Sequence, residues 1–197
     1  MGPNVSSNFE DTIRNLVVGS GFSGLAMAAE LHRNRMEVTL ISGPMHPTTA
    51  NPSTSTSSLP SLSTNQIDGW KSRVEIIKHL ETYIRAHKLD FRKNVHVENI
   101  TPVSEPETYK GELIRWIVTT DQGTLFTRNI IMAGKNGSFP RFNRYDTIQH
   151  ENSPEGFYVV GRALGYGKAA IKEILAQVRR VIRLIKDQDL QDTARLQ

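Results

Sequence analysis

Leu16-Val17-Val18-Gly19-Ser20-Gly21-Phe22-Ser23-Gly24-Leu25-Ala26-Met27-Ala28 is the stretch that decides how this chain is read. Residues 13–18 end in an apolar run and read as a short strand. Three glycines follow at once in the pattern Gly-x-Gly-x-x-Gly, and residues 25–33 are strong helix formers throughout. Residues 36–41, Met-Glu-Val-Thr-Leu-Ile, read as a second strand. A glycine hexapeptide alone is weak evidence. The order strand, glycine turn, helix, strand is the context that gives it meaning.

Each glycine of such a turn has its own task. Gly19 permits the tight turn, Gly21 lets the backbone approach a pyrophosphate, and Gly24 lets helix and strand pack closely. Backbone N–H groups at the helix start, aided by the helix dipole, then hold the phosphates. The plain alternative is an ordinary glycine-rich link between a strand and a helix.

Beyond residue 42 the composition changes abruptly. Residues 42–66 are rich in Ser, Thr and Pro, bury too little apolar surface to offset their ordering entropy, and read as a mobile loop inserted in the domain. Val74, Ile77, Leu80, Tyr83 and Ile84 recur at helical spacing and predict a helix over 72–87. Strands are expected over 95–103, 113–120, 124–133 and 157–160, with Asp121-Gln122-Gly123 as the turn of a hairpin. A last helix over 168–186 carries Ile171, Ile174, Leu175, Val178, Val181, Ile182 and Ile185 on one face. Basic residues lie opposite, and packing that stripe on the sheet is its commoner use. The expected organisation is a flexible 1–12, one α/β domain over 13–186 and a polar tail over 187–197. Its fold is a central parallel sheet flanked by helices, with a small antiparallel layer from residues 113–133.

The 197 residues suffice for one domain with a real core. No apolar run approaches the roughly 20 residues that span a bilayer, and residues 1–12 lack the apolar stretch of a secretory signal. The chain has no cysteine, which excludes disulfide staples, thiolate metal sites and cysteine-pair relays, and a cytoplasmic protein is expected. A net charge of +4 comes with no nucleic-acid motif, so no nucleic-acid partner is expected. Six histidines (His32, His46, His79, His87, His96, His150) show no metal-ligand spacing, and no metal is expected. Gly165-Tyr166-Gly167-Lys168 could cradle a phosphate or simply start the last helix flexibly.

Residues 16–28 resemble the amino terminus of flavin-containing monooxygenases and their Baeyer–Villiger relatives. Gly69-Trp70 with residues 75–83, the apolar strand and glycine turn at 129–139, and Gly156-Phe157-Tyr158-Val159-Val160-Gly161 resemble further parts of that family. The resemblance implies a Rossmann-like FAD-binding domain and an FAD-dependent oxidoreductase of monooxygenase type acting on a small-molecule substrate. It also implies cofactor-binding roles for Gly19, Gly21, Phe22, Ser23, Gly24 and Ser42. A backbone position near Ile100 would meet the adenine, and Gly161 would lie by the ribityl chain and flavin. No residue stands out as a general acid or base.

The departures from the family are as informative. Ser42 stands where the family places an acid for the adenosine ribose, and Ala133-Gly134-Lys135 replaces its Ala-Thr-Gly turn. About twenty residues separate Lys135 from Phe157, too few for the family's second, NADPH-binding domain. The chain resembles a truncated form without that domain, so an external reductant is expected. Lys135, Arg141, Arg144 and Arg162 read either as an anion clamp at the flavin edge or as solvated loop charge. The alternative function is a degenerate, non-redox member kept as a binding or accessory protein, or a truncated gene product.

Overall fold

The computed structural model describes residues 11–43, 73–109, 112–134, 155–161 and 168–195. In chain order the elements are β1 (Asp11–Val18), α1 (Phe22–Arg33), β2 (Thr39–Ser42), α2 (Arg73–Ala86) and β3 (Asp90–Lys93). Then come β4 (Val97–Tyr109), β5 (Glu112–Thr120), β6 (Gly123–Ala133), β7 (Phe157–Val160) and α3 (Lys168–Arg195). The seven strands form one sheet in the order β3-β2-β1-β6-β5-β4, with β7 also paired to β6.

The sheet has two regimes joined by β6. Strands β3, β2, β1, β6 and β7 run parallel, whereas β4, β5 and the first half of β6 form an antiparallel meander. One edge of β6 serves two partners in succession. Trp116 pairs with Thr127, and three residues later Ile130 pairs with Phe157. Gly156 makes this handover possible. Its φ is +77°, and a Cβ there would stand 2.4 Å from the Arg128 carbonyl oxygen. Its own carbonyl accepts from Ile130 N–H at 2.7 Å, and the neighbouring Glu155 carbonyl accepts from Trp116 Nε1 at 3.1 Å.

Alternation along the parallel strands sorts the core into two halves. Val17, Leu40, Ile131, Ala133 and Val160 face one way and pack with all three helices, through residues such as Leu25, Leu80 and Leu175. Leu16, Val18, Ile41, Ile130 and Met132 face the other way and pack with Ile100, Trp116 and Val118 of the meander. The expected α/β fold with its antiparallel layer is present. Among the described residues the helices cover one face only, and the curled meander covers the other.

Several boundaries differ from expectation, each for a local reason. Helix α1 starts at Phe22 because Gly21, extended at φ −71° and ψ −177°, already acts as its N-cap. Residues 36–38 are not strand. Arg35 takes φ +60°, Met36 N–H bonds back to the Leu31 carbonyl, and the chain needs three residues to reach β2. Strand β3 has three polar residues among its four and is held by pairing with β2. The α3 stripe is buried as expected, but residues 187–195 continue the helix rather than forming a tail.

Candidate nucleotide-binding site

Strand β1 feeds α1 toward β2 on one side, while β6 and β7 lie on its other side, so the strand order reverses between β1 and β6. In open α/β sheets ligands bind outside the carboxyl ends of the strands at such a switch point. The glycine turn stands there.

Its three glycines divide the work as their spacing requires. Gly19 has φ +112°, donates its N–H to the Ile41 carbonyl at 2.9 Å, and would bring a Cβ within 2.2 Å of the Ala133 carbonyl oxygen. Gly24 lies so close beneath the turn that a Cβ would fall 1.7 Å from the Gly19 carbonyl oxygen. Gly21 is the opposite case. A Cβ there would meet nothing within 4 Å, so the backbone borders open space. The helix that begins there has no side-chain cap and no acid in its first turn. The first-turn backbone N–H groups and the positive dipole end therefore meet no acid of the helix itself. This geometry fits a pyrophosphate.

Phe22 and Ser23 are both buried, so what they can offer a ligand is backbone rather than side chain. Ser23 instead packs under the closing turn. Gly161, at φ +97°, would bring a Cβ 2.5 Å from Ser23 Oγ and 3.2 Å from Gly134 N. Gln177 Oε1 accepts from Gly161 N–H at 2.9 Å, and the Val160 carbonyl accepts from Gly134 N–H at 3.1 Å. The structure thus brings Gly19, Ser23, Gly24, Gly134 and Gly161 to one place at the ends of β1, β6 and β7.

Ser42 ends β2 and is 2% exposed, and its buried Oγ makes no hydrogen bond. Ile100, whose neighbourhood was expected to meet the adenine through its backbone, lies in β4. It pairs with Val118 inside the meander and is buried in the second half of the core. The residue beside the end of β2 is Val95, whose N–H donates to the Ser42 carbonyl at 2.9 Å. Lys135, Arg141, Arg144, Arg162, the glycines at 165 and 167, His46, His150 and nearly all of the Ser/Thr-rich stretch lie outside the described residues.

Two clusters escaped the sequence reading. At the end of α3, Asp192 accepts from Arg115 Nη2 at 2.8 and 2.9 Å and from Arg128 Nη2, and Arg128 also pairs with Asp189 at 2.8 Å. Arg115, Arg128 and Asp192 are all buried. Burial acts to raise the Asp192 pKa, but the hydrogen bonds and charges of Arg115 and then Arg128 outweigh it and hold the carboxyl below its ordinary value. Nearby, the Tyr158 hydroxyl donates to Gln188 Oε1 at 2.6 Å, and burial pushes its pKa up to about 12. The second cluster joins α1 to α2. His32 Nδ1 lies 2.8 Å from Tyr83 Oη, and the His87 ring packs 5.0 Å from His32 and 4.2 Å from Tyr83. Burial, then the neighbouring His87, lowers the His32 pKa.

Among the described residues no group of three His, Cys, Asp or Glu side chains is placed to hold a metal ion. No helix among them is long and apolar enough to cross a membrane.

Residues 17–47 match the model of an NAD(P)-binding Rossmann-like domain. Among curated proteins, none matches the sequence. Solved structures similar to the chain include a flavin monooxygenase from Stenotrophomonas maltophilia carrying two substitutions, at 20% identity and a TM-score of 0.43 over 63% of this chain and 39% of that one. A bacillithiol disulfide reductase from Staphylococcus aureus gives 15% identity and a TM-score of 0.42 over 62% and 38%. An oxidized steroid monooxygenase bound to NADP gives 21% and 0.41 over 61% and 25%. The chain therefore spans between a quarter and two fifths of the length of these structures.

Proposed function

We propose that the glycine turn receives the pyrophosphate of FAD and that the protein is a flavin-dependent, monooxygenase-like oxidoreductase. It acts on a small organic substrate and takes its electrons from an external donor. The observation that carries this reading is Gly21, whose backbone borders open space at an uncapped helix start on the switch point of the sheet. Gly19, Gly21 and Gly24, with the first-turn backbone of Ser23, would hold the pyrophosphate. Gly161 closes the site from β7, as the resemblance to flavin monooxygenases leads one to expect. When bound, the flavin supplies the redox chemistry, and the protein supplies binding, orientation and electrostatics. The absence of cysteine supports a cytoplasmic setting.

One observation favours a second reading. Ser42 presents no carboxylate at the end of β2, and its Oγ is buried. The adenosine ribose would lose a charge-assisted hydrogen bond, about 1–2 kcal/mol of affinity. That loss suits a non-redox binding protein that has kept the fold. A Gly21→Val variant tests the flavin reading. It places a branched side chain in the open space and should bind no flavin while keeping the wild-type circular dichroism spectrum. Flavin retained at wild-type stoichiometry would put the pyrophosphate elsewhere.

A further inference from the structure

Helix-covered faces of a sheet are normally sealed, yet on this one a cavity of about 350 Å³ opens between α1, the end of α2 and β3. Its apolar lining is Leu25, Ile84, Leu89 and Phe91, and it reaches the glycine turn at Ser20. Arg85, Lys88 and Lys93 stand around it with a single acid, Glu81. Among the described residues none of these three cations forms a salt bridge. Lys93 Nζ sits 5.2 Å from the centre of the Phe91 ring, so its charge lies over the apolar lining. A second cavity among the described residues differs in this respect. It lies by Asp11 and Arg92, where the guanidinium is already paired at 2.8 Å with both Asp11 and Asp90.

Lys88 is the most informative of the three. It ends α2 with φ +51°, where glycine or asparagine is favoured, and Leu89 N–H bonds back to the Ile84 carbonyl to close the helix. A lysine at that position sacrifices backbone comfort and gains a cation at the mouth of the cavity.

We propose that this cavity binds a small organic anion with an apolar body, such as an aryl or branched acyl carboxylate, at a site that adjoins the glycine turn at Ser20 but does not share the pyrophosphate position at Gly21. Its apolar part would rest on Leu25, Ile84, Leu89 and Phe91. Its charge would meet Arg85, Lys88 and Lys93, whose surplus over Glu81 discriminates against neutral and cationic analogues. A cavity of this size lies within the range of small-molecule sites, roughly 300–1,000 Å³.

The test uses the full chain and titration calorimetry with 4-phenylbutyrate, its neutral isostere 4-phenylbutanol, and FAD. The expected result is saturable one-to-one binding of the acid, at least tenfold weaker binding of the alcohol, and an affinity for the acid unchanged by saturating FAD. Lys88→Gly should weaken the acid several-fold while its melting temperature holds or rises, because glycine suits the left-handed backbone. Equal binding of acid and alcohol, no binding of either, or wild-type affinity in Lys88→Gly would overturn the proposal. Displacement of the acid by FAD would also overturn it, since the cavity would then be part of the dinucleotide site. The proposal does not depend on the flavin reading, because the calorimetric result stands whether or not FAD binds.

Discussion

Two glycines three residues apart offer opposite experiments. At Gly24 a methyl group has nowhere to go, since both atoms it meets first are Gly19 backbone, at 1.7 and 2.8 Å. Gly24→Ala must therefore push α1 away from β1 and should cost about 3 kcal/mol, lowering the melting temperature by roughly 10 °C. At Gly21 the same methyl meets nothing, so stability should fall only by the loss of a favourable N-cap residue, about 1 kcal/mol or less. Thermal unfolding of the two alanine variants checks this, and equal losses would show that the turn is not packed as described. His32 gives a prediction in pH. Burial and His87 set its folded pKa below 6.5, so the fold prefers the neutral ring. Its contribution is present above pH 6.5 and lost as pH falls through the lowered folded value. The melting temperature should therefore decline on the acid side of neutrality, and His32→Gln should flatten that decline. A variant with the wild-type pH profile would remove His32 from the account. The glycines were legible because all three fall within one six-residue turn between a strand and a helix. The histidine cluster was not, because His32 and Tyr83 meet only where α1 packs on α2.

The last turns of α3 act as a fastening for strands far away in sequence. Arg14 of β1 pairs with Asp189 at 3.2 Å, Arg115 of β5 and Arg128 of β6 converge on Asp192, and Tyr158 of β7 bonds Gln188. Removing residues 187–197 would leave Arg128 buried without its carboxylates and Arg115 with only the exposed Glu155 at 3.5 Å. Breaking a buried pair from one side costs about 3–5 kcal/mol, and Asp192→Asn should approach that figure without shortening the helix. Denaturant titration of both variants gives the answer, with loss of less than 1 kcal/mol as the contrary result. Because Asp192 is held below the usual 3.8, its contribution is present above that pH and fades only as pH falls through the lowered folded value. The end of this helix carries no sequence period that announces its partners. The stripe from Ile171 to Ile185 has helical period and was readable through residue 186. Beyond it the stripe gives way to Asp189 and Asp192, whose partners lie 61 and more positions away. Strand β3 was hidden for a related reason. Asp-Phe-Arg-Lys has no strand pattern, and its support comes from β2 and the Arg92–Asp11 pair.

At the scale of the molecule, the strand order follows from the glycine unit at one end and the hairpin at Asp121-Gln122-Gly123 at the other, both readable in sequence. The joining of the two through β6, and the handover at Gly156, depend on a carbonyl contact that no sequence period encodes. The glycine turn at the switch point is likewise legible, whereas the burial of Ile100 in the meander is not, since alternating apolar residues look alike in a sheet core and beside a ligand. The short span between Lys135 and Phe157 holds no second glycine turn, so NADPH should reduce bound flavin slowly and without saturation. Any such reaction should weaken as added salt screens the protein's positive charge. Stopped-flow bleaching with increasing NADPH measures this, and fast saturable reduction would reveal a nicotinamide site. Flavin binding itself is read from the visible absorbance of the purified chain after titration with FAD. After unbound FAD is removed, the flavin band that stays with the protein should saturate at one FAD per chain and be lost in Gly21→Val. A colourless protein that takes up no FAD, yet binds NADH in a fluorescence titration, would contradict it.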